Sequence, residues 1–376
     1  MPRKRKTDSA LVPAIQPDKP INIKMLASHL GLSIAAVSRI LNHSPAAKSI
    51  PKETHERVFE VAKELNYKPN IFARSLRSRR SYTIGVMVAE VSEGYATLVL
   101  SGIEKHLMDE GYVYFVVSHH HRPALIAEYE NVLMSRAIEG LVAIDTPLKA
   151  RFPVPTVTIS GHDEVEGVVN IVLDQGRAAA LAIGHLHELG HRRIAFMRGQ
   201  SHTSDSTTRW NAIEEAAHAL DLEILRPLIV QLNGNDPTPE PAYIATRKLL
   251  DSKELFTAIF AFNDIAAIGA IRAIREANLR VPEDVSVVGF DDIQTAAYLN
   301  PGLTTVRQPL KKMGLLAAQS LLRLIQSPTD PLHAARQLMV DAELVVRNST
   351  CVPNPKRSLQ HTPPSKSATP HRTRRG

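Results

Sequence analysis

The residues whose spacing comes nearest to a catalytic motif are His187, Glu188 and His191, which match the pattern His-Glu-x-x-His. In that pattern two histidines one helical turn apart bind zinc, and the glutamate acts on the bound water. Gly190 lies where the amphipathic run ends, and an apolar run typical of a strand begins at Ile194. A helix that ends at a left-handed glycine turns the second histidine away from the first. The sequence therefore favours no metal site and no zinc catalysis at this position.

Other residues that could carry catalytic or metal chemistry are sparse. His119 to His121 follow a strand-like run and could line a cleft or bind a metal, although the sequence favours a solvated loop. The sequence has no Gly-x-Ser-x-Gly elbow and no glycine-rich phosphate-binding loop. Cys351 is its one cysteine, which excludes an internal disulfide or a cysteine-based zinc site. We therefore expect neither an enzyme nor a cofactor; the alternative, a zinc enzyme, would show stoichiometric zinc on purification.

Positive charge is concentrated at the two ends of the chain, although the net charge of the 376 residues is only +7. Residues 21–80 hold 11 basic and four acidic side chains, and residues 356–376 hold six basic side chains and no acidic ones. A basic head on an acidic body is the charge distribution expected of a nucleic-acid-binding module joined to a ligand-binding body. Residues 1–20 and 351–376 are rich in Pro, Ser, Lys and Arg, which predicts disordered basic tails.

Two short amphipathic helical patterns meet at a glycine between residues 22 and 42. Ala27 is small where two helices would cross, and Gly31 can adopt the positive φ of a tight turn. Val37 would fill the wedge between the helices. This spacing indicates a helix-turn-helix, although helical hairpins without a DNA role also carry it. The second helix should span about residues 34–41.

The second helix would place one face in the major groove of DNA. Its helical periodicity buries Val37, Ile40 and Leu41 and leaves the opposite face exposed. Ile34 and Ala35 can make only apolar contacts there, for example with thymine methyl groups, so they should set the sequence preference. The candidate DNA-contacting residues of this unit are Asn22, Ser33, Ile34, Ala35, Ser38, Arg39, Asn42 and His43.

A third helical pattern opens near Pro51, and its apolar stripe between residues 58 and 65 can complete a three-helix core. Residues 21–69 therefore predict one helix-turn-helix domain. Residues 70–80 form a shorter helical pattern that begins at Asn70 and lacks an apolar face of its own. So short a helix is marginal in water because nucleation is costly, so we expect it to form only when a partner orders it.

Together these segments resemble the LacI/GalR family of bacterial transcription regulators. The features at the family's spacing are Ala27, Gly31 and the runs at 37–42, 64–70 and 73–76. The resemblance implies that residues 70–80 are a hinge helix, which two copies form by pairing in the minor groove, with Leu76 as a wedge between base steps. The alternative for Leu76 is a linker leucine that packs on the body. The candidate hinge contacts are Asn70, Ala73, Arg74 and Leu76.

From Tyr82 onward, apolar strand-like runs alternate with segments of helical periodicity, which predicts parallel sheets with helices on both faces. The strand-like runs are 83–89, 112–117, 140–144, 156–159, 193–197, 228–232, 258–262 and 285–289, and the helical segments include 98–109, 177–189, 210–220 and 265–277. The family resemblance continues in the runs at 189–196, 262–264, 284–292 and 303–309 and covers about residues 21–348. It implies a two-lobed, periplasmic-binding-protein-like α/β body over residues 81–350. We expect crossovers near 173, 302 and 335 and a cleft at the carboxyl ends of the strands.

The resemblance implies effector contacts only where the family pattern is kept. From the residues alone each has an alternative: Asp264 as a helix cap, Arg209 as a surface charge and Asp291 as a turn residue. The chain departs from the family pattern at 93–96, where it keeps one aromatic residue, and at 160–161. The candidate effector residues are Tyr95, Ser160, Arg209, Asn263, Asp264 and Asp291. Family habit favours a sugar or sugar derivative as the ligand.

The sequence thus predicts an N-terminal all-α helix-turn-helix head, a hinge helix and a two-lobed α/β body with parallel sheets. We expect a homodimeric, sequence-specific repressor whose affinity for a near-palindromic double-stranded operator is controlled by a small-molecule effector. The alternative is a solute-binding protein without a DNA role, which would need an export signal and would not need residues 21–80.

No apolar run is long enough to span a membrane, and the basic N-terminus lacks an apolar segment followed by a cleavage site. We therefore expect no membrane partner and a cytoplasmic, nucleoid-associated protein. No leucine heptad follows Thr350, so a coiled coil that would make tetramers is not expected.

Overall fold

The head of the molecule holds three α-helices, which we describe from a computed structural model covering residues 21–41, 44–67, 80–92, 94–252, 254–327, 329 and 336–355. Helix α1 spans Ile23–Leu30, α2 spans Ile34–Leu41 and α3 spans Lys52–Glu64. The chain bends by 107° between α1 and α2, as in a helix-turn-helix. The apolar faces of the three helices meet in one core, whose buried members are Leu26, Ala27, Leu30, Val37, Ile40, Ala47, Val58 and Ala62. The predicted helix-turn-helix head is confirmed.

Local hydrogen bonds set the ends of the first two helices. The Asn22 side chain accepts a bond of 3.0 Å from the N–H of the third residue of α1. Gly31 adopts a φ of 65° and donates its N–H back to the last turn of α1. The Ser33 hydroxyl oxygen accepts a bond of 3.1 Å from the N–H of the third residue of α2. Because each cap is formed by residues close in sequence, this part of the fold could be predicted from local pattern alone.

The body is the second unit of the chain, which divides between Ser81 and Tyr82. Its first sheet consists of β1 (Thr83–Val88), β2 (Val113–Ser118), β3 (Gly140–Ile144), β4 (Thr156–Ile159), β5 (Val169–Leu173) and β11 (Gln337–Val340). Its second sheet consists of β6 (Ile194–Arg198), β7 (Ile229–Gln231), β8 (Ala258–Phe260), β9 (Ser286–Asp291), β10 (Thr304–Arg307) and β12 (Glu343–Val345). The spatial orders are β11-β5-β4-β3-β1-β2 and β12-β10-β9-β8-β6-β7. Neighbouring strands pair in parallel except at β10 and β12, which are antiparallel.

Seven helices connect these strands and cover the sheets. They are α4 (Tyr95–Asp109), α5 (Pro123–Ser135), α6 (Gln175–Glu188), α7 (Asp205–Ala219), α8 (Glu240–Asp251), α9 (Asp264–Glu276) and α10 (Leu310–Gln326), within the described part of the body. We call the first sheet with α4, α5 and α10 lobe 1, and the second sheet with α6 to α9 lobe 2. The two parallel-sheet lobes confirm the predicted fold class.

The chain passes between the lobes three times within the described body. The first passage, between β5 and α6, lies at residue 174, next to the expected position near 173. The other two lie at 308–309 and 341–342, several residues beyond the expected positions near 302 and 335. The difference arises because residues 304–307 still pair with β9 in the second sheet, and residues 337–340 still pair with β5 in the first.

Helices α4 and α10 of lobe 1 cross in backbone contact. A Cβ atom at Gly102 would collide with the carbonyl oxygen of Lys311, and one at Gly314 would collide with that of Val99. Only glycine lets two helices approach so closely. Helix α10 also packs on β3 and β4, and α4 packs on β2, so lobe 1 presents the beginning of α4 in a defined position.

The apolar faces of the head helices form a core, and none of these helices is long enough to span a membrane. No single helix in the part of the chain that the structure describes is long and apolar enough to cross a membrane. The pair α1 and α2 reaches that length only when counted together across its 107° bend, and its apolar residues pack in the three-helix core.

Candidate functional site

The exposed face of α2 holds four of the predicted DNA-contacting residues. These exposed residues are Ser33, Ile34, Ala35 and Arg39. Ile34 is 45% exposed and so is free to contact a partner surface. Ser38 was expected on the same face but is only 4% exposed, which corrects that prediction. Ser38 borders the apolar stripe, and the packing of α2 against α1 and α3 covers a side chain this small.

The remaining predicted DNA contacts differ in what the structure shows of them. Asn22 is exposed while its side-chain oxygen caps α1. Six predicted contacts and the predicted hinge helix lie outside the described residues: Asn42, His43, Asn70, Ala73, Arg74 and Leu76. Their roles stay predictions.

A cavity of about 160 Å³ lies between the two lobes of the body. Its walls include residues that follow the carboxyl ends of strands in both sheets: Glu90 after β1, Asp145 after β3, Gln200 after β6, Asp236 after β7 and Asp291 at the end of β9. This edge is where parallel α/β sheets bind their ligands. The volume is close to that of an engineered cavity of about 150 Å³ that binds benzene, so a ligand built on one ring fits it.

Four of the six predicted effector residues line this cavity: Tyr95, Arg209, Asn263 and Asp291. Ser160 lies beside Tyr95, whose hydroxyl donates to Ser160 Oγ at 2.7 Å. Asn263 also caps α9, because its Oδ1 accepts from the N–H of Ala266 at 2.8 Å. The structure therefore brings five of the six residues together at or next to the cavity.

Arg209 of α7 is the buried cation of the site and is held on several sides. Its Nη1 donates to the carbonyl oxygen of Phe262 at 2.7 Å, and its Nε donates to Gln175 Oε1 at 3.2 Å. Its Nη2 lies 3.4 Å from Asp205 Oδ2. The guanidinium carbon also stands 3.6 Å from the centre of the Phe290 ring, which is a cation–π contact. This arrangement excludes the alternative of a surface charge and leaves Arg209 rigid.

Asp291 and Gln308 form one polar side of the cavity. Gln308 Nε2 donates to Asp291 Oδ1 at 2.6 Å, and both side chains are almost fully buried. Burial raises the pKa of Asp291 to about 7, against the opposing effect of the Arg209 charge. Gln308 Oε1 accepts no hydrogen bond from any described residue. Asp291 is therefore close to half ionised at neutral pH, beside an amide oxygen that lacks a donor.

Two groups of hydrogen bonds join the lobes across the cavity. Ser160 Oγ of lobe 1, which accepts from Tyr95, lies 3.5 Å from Asp205 Oδ2 of lobe 2. The Ser204 N–H of lobe 2 donates to Asp145 Oδ1 of lobe 1 at 2.9 Å. Burial raises the pKa of Asp205, and Arg209 partly offsets this. A ligand that enters the cavity therefore meets the groups that set the spacing of the lobes.

Asp264 does not reach the cavity, which differs from the expectation. Its side chain is fully buried, its Oδ2 accepts from the Ile293 N–H at 2.9 Å, and its Oδ1 accepts from Thr305 Oγ1 at 2.5 Å. Gly289 leaves the space for this carboxylate, since a Cβ there would collide with Asp264 Oδ1. Burial, with the neighbouring charge of Asp291, raises the pKa of Asp264 to about 8. Asp264 ties α9 to β9 and β10, and the helix cap is Asn263.

Histidines from both lobes meet at the side of the cavity. The rings of His121 of lobe 1 and His202 of lobe 2 lie 4.0 Å apart, and both residues line the cavity. Burial lowers the pKa of each ring, which favours the neutral form of both. His162 contacts Asp145 at 2.9 Å; that bond raises its pKa although burial opposes it. The histidine triplet therefore reaches the cleft through His121, whereas the favoured expectation was a solvated loop.

The His-Glu-x-x-His segment has the geometry that the sequence predicts. Helix α6 ends at Glu188, and Gly190 adopts a φ of 97°. His191 turns away into the core of lobe 2, where its ring nitrogens lie 2.8 Å from Thr257 Oγ1 and from the Cys351 carbonyl oxygen. No group of three His, Cys, Asp or Glu side chains within the described residues could hold a metal ion.

A helix-turn-helix head joined to a two-lobed body with an interlobe cavity defines a ligand-responsive DNA-binding regulator. Residues 22–70 match the bacterial regulatory proteins of the lacI family, and residues 183–350 match the periplasmic binding protein-like domain. The chain is 30% identical to the HTH-type transcriptional repressor PurR of Haemophilus influenzae over 336 residues, which cover 87% of this chain and 98% of that protein. The chain therefore belongs to the lacI family of bacterial regulatory proteins.

Solved structures show the same architecture. The lac repressor dimer bound to operator and an anti-inducer is 25% identical with a TM-score of 0.76, covering 89% of this chain and 100% of that one. A complex of the transcriptional regulator CelR with cellobiose is 27% identical with a TM-score of 0.63, covering 88% of this chain and 99% of that one. The named relatives are transcriptional regulators and not enzymes.

Proposed function

We propose that two copies of this chain bind a near-palindromic operator as a transcriptional repressor and that a small molecule in the interlobe cavity controls this binding. The observation that carries the proposal is the cavity itself, whose walls include the hydrogen bonds between the lobes. Tyr95 and Asp145 belong to lobe 1, and Asp205 and Ser204 belong to lobe 2. A ligand that replaces or tightens these bonds changes the relative stability of two lobe arrangements, which is the physical requirement for allosteric control.

The second copy would dock on the outer edge of lobe 1. Strand β2 is an edge strand, and its side chains Val113 and Phe115 are 58% and 46% exposed. Met108, near the end of α4, is exposed as well. Exposed large apolar side chains on an edge strand indicate an association surface. The similar lac repressor structure is a dimer on its operator, which supports a second copy as the occupant.

Each head of the dimer would read one half-site through the exposed face of α2. Ile34 and Ala35 at the beginning of α2 offer apolar contacts to thymine methyl groups, and Arg39 offers a charged contact to a phosphate or a guanine. Ser33 and Asn22, which precede α2 and α1, would contact phosphates of the DNA backbone. The predicted hinge around Leu76 would widen the contact in the minor groove.

The effector would be a sugar or sugar derivative. Carboxylate and amide groups of the cavity can accept from ligand hydroxyls, and Phe262 offers an aromatic wall. The structure of CelR with cellobiose shows that a similar protein binds a sugar. We propose binding without turnover and action at the nucleoid in the cytoplasm, where the operator lies.

Operator selection from a random duplex library tests this function. The wild-type protein should enrich a near-palindrome with two half-sites. Ile34→Tyr with Ala35→Gln should enrich a different half-site and should lose at least tenfold in affinity for the wild-type site, because their contacts specify bases. Glu240→Gln, an exposed change in the body, should leave the selected sequence unchanged. A protein that selects no sequence would instead support a solute-binding role without DNA.

A further inference from the structure

The cavity that we propose as the effector site is lined by more carboxyl groups than cations. Among the described residues that line it, five are carboxylates: Glu90, Asp145, Asp205, Asp236 and Asp291. Arg209 is the one permanent cation of that set. Asp236 is exposed to solvent, whereas the other four are partly or fully buried. A buried carboxyl group without a counter-charge is costly to ionise, so a ligand that brings positive charge would stabilise the ionised form.

The cationic side chains at the cavity already have partners within the protein. Arg209 is held by the Phe262 carbonyl, Gln175 and Asp205, and its position is fixed by ring contacts. His162 faces Asp145 at 2.9 Å and offsets that one carboxylate. The ring centres of His121 and His202 are 4.0 Å apart, and two protonated rings at that distance would repel each other. The charge of Arg209 lowers the pKa of Asp291 without outweighing the effect of burial, and no ion pair joins Asp291 to a described cation.

Gln308 gives independent evidence that a hydrogen-bond donor is missing at this side of the cavity. It is only 3% exposed, and its Nε2 donates to Asp291 at 2.6 Å. Its Oε1 is buried and accepts from no described residue. A buried amide oxygen without a donor is rare in proteins, and Gln308 is one of the residues that line the cavity. Asp291 and Gln308 thus offer neighbouring acceptors to one incoming donor group.

We propose that the effector is a compact, single-ring molecule that carries a protonated amine, and that this ammonium binds between Asp291 and Gln308. An ammonium has three N–H donors and no acceptor, which matches a carboxylate and an amide oxygen side by side. A neutral hydroxyl supplies one donor and brings no positive charge to the carboxyl groups. The inference rests on the proposed function only in taking this cavity as the effector site.

Matched ligand pairs test the charge requirement on the full chain. Glucosamine against glucose, galactosamine against galactose and cyclohexylamine against cyclohexanol each exchange an ammonium for a hydroxyl on one ring. Thermal shift and calorimetric titration at pH 7 should show at least one amine that binds at least tenfold more tightly than its neutral partner. The proposal is overturned if no amine of this panel binds, or if the neutral partners bind equally well.

Variants of Asp291 and Gln308 test where the ammonium group binds in the cavity. Asp291→Asn should weaken binding of the preferred amine at least tenfold and binding of its neutral partner less than threefold. Gln308→Met, which removes the unpaired oxygen, should weaken the same amine and covers the case in which Asp291→Asn does not fold. Asp251→Asn, an exposed change on α8, should alter neither affinity. An amine affinity that Asp291→Asn and Gln308→Met leave unchanged would refute the placement.

Operator binding measured in the same samples separates the two hypotheses. If a neutral ligand alone changes operator affinity, the proposed regulatory function stands and the cationic effector is refuted. If the protein binds an amine in this cavity but selects no operator, the charge inference stands and the regulatory function is refuted.

Discussion

Asp264 and Asp291 show how two buried carboxylates at the same edge of one sheet come to have different roles. Asp291 ends β9 at the cavity and pairs with Gln308, whereas Asp264 points across β9 to Thr305 and the Ile293 N–H. Burial raises the pKa of Asp291 to about 7 and that of Asp264 to about 8. The first is positioned for a ligand, and the second links three elements of lobe 2.

The raised pKa of Asp264 predicts that stability falls as pH rises. Between its ordinary pKa near 3.8 and the value of about 8, the folded protein holds the carboxyl proton and the unfolded chain does not. The resulting stability is present at acid pH and is lost as pH rises through about 8. Asp264→Asn cannot ionise, so the loss of unfolding free energy from pH 6 to pH 8 should shrink by about 2 kcal/mol. Urea unfolding at pH 6, 7 and 8 measures this difference.

The same experiment needs a control for surface charge, because any lost carboxylate alters the net charge. Asp251→Asn on the exposed end of α8 should keep the wild-type pH dependence. Part of the dependence should also remain in Asp264→Asn, because the pKa of Asp291 is raised too. Parallel stability curves for wild type and Asp264→Asn would contradict the assignment.

Which acidic residue would face the cavity could not be read from the sequence. Asp264 follows β8 and Asp291 ends β9, and the Asp264 side chain can turn away from the cavity because the missing Cβ of Gly289 leaves space for it. Gln308 escaped prediction for a related reason: it looks like an ordinary linker residue until β9 and β10 pair and bring it to Asp291. Contacts of this kind arise from tertiary packing and leave no local pattern.

At the scale of elements, the sequence predicted those whose identity is set by their own residues. The apolar run at β3 and the β-branched run at β4 gave the observed bounds, and the helices of the head follow from local caps and apolar stripes. Strands β5 and β10 to β12 were missed. They are short, mix polar with apolar residues, and pair with distant segments, so only the assembled sheet defines them. Because β10 and β11 were missed, the second and third passages between the lobes were expected several residues too early.

The backbone contact between α4 and α10 predicts a strong effect of small substitutions. Gly314→Ala places a Cβ against the Val99 carbonyl, so the helices must separate, and we expect a loss of about 1–3 kcal/mol of unfolding free energy. Gly184→Ala in α6 is a matched control, because nothing lies within 4 Å of its added Cβ. Alanine is also the better helix former, so this control should gain about 0.5–1 kcal/mol. Chemical denaturation measures both, and equal effects would contradict the close crossing.

At the scale of the molecule, control of DNA binding requires that the ligand, the lobes and the second copy act on one another. The cavity lies at bonds between the lobes, and the exposed apolar edge lies on β2 of lobe 1, next to β1 in the same sheet. Glu90, at the cavity, follows β1 directly. A shift of lobe 1 relative to lobe 2 would therefore involve the same sheet that we propose as the dimer surface.

The dimer surface can be tested because its key side chains are exposed before association. Phe115→Glu on β2 should fold normally, since a side chain that is 46% exposed contributes little to the core. It should produce a monomer at micromolar concentration, because two charges would be buried against each other across the two-fold axis. Operator affinity should fall at least 100-fold, because the two heads would no longer bind as one linked unit.

Ile244→Glu on α8, at a residue that is 45% exposed but lies in lobe 2, is the matched control and should leave both mass and operator affinity unchanged. Sedimentation equilibrium and operator titration decide the matter: a Phe115→Glu protein that remains a dimer would place the interface elsewhere.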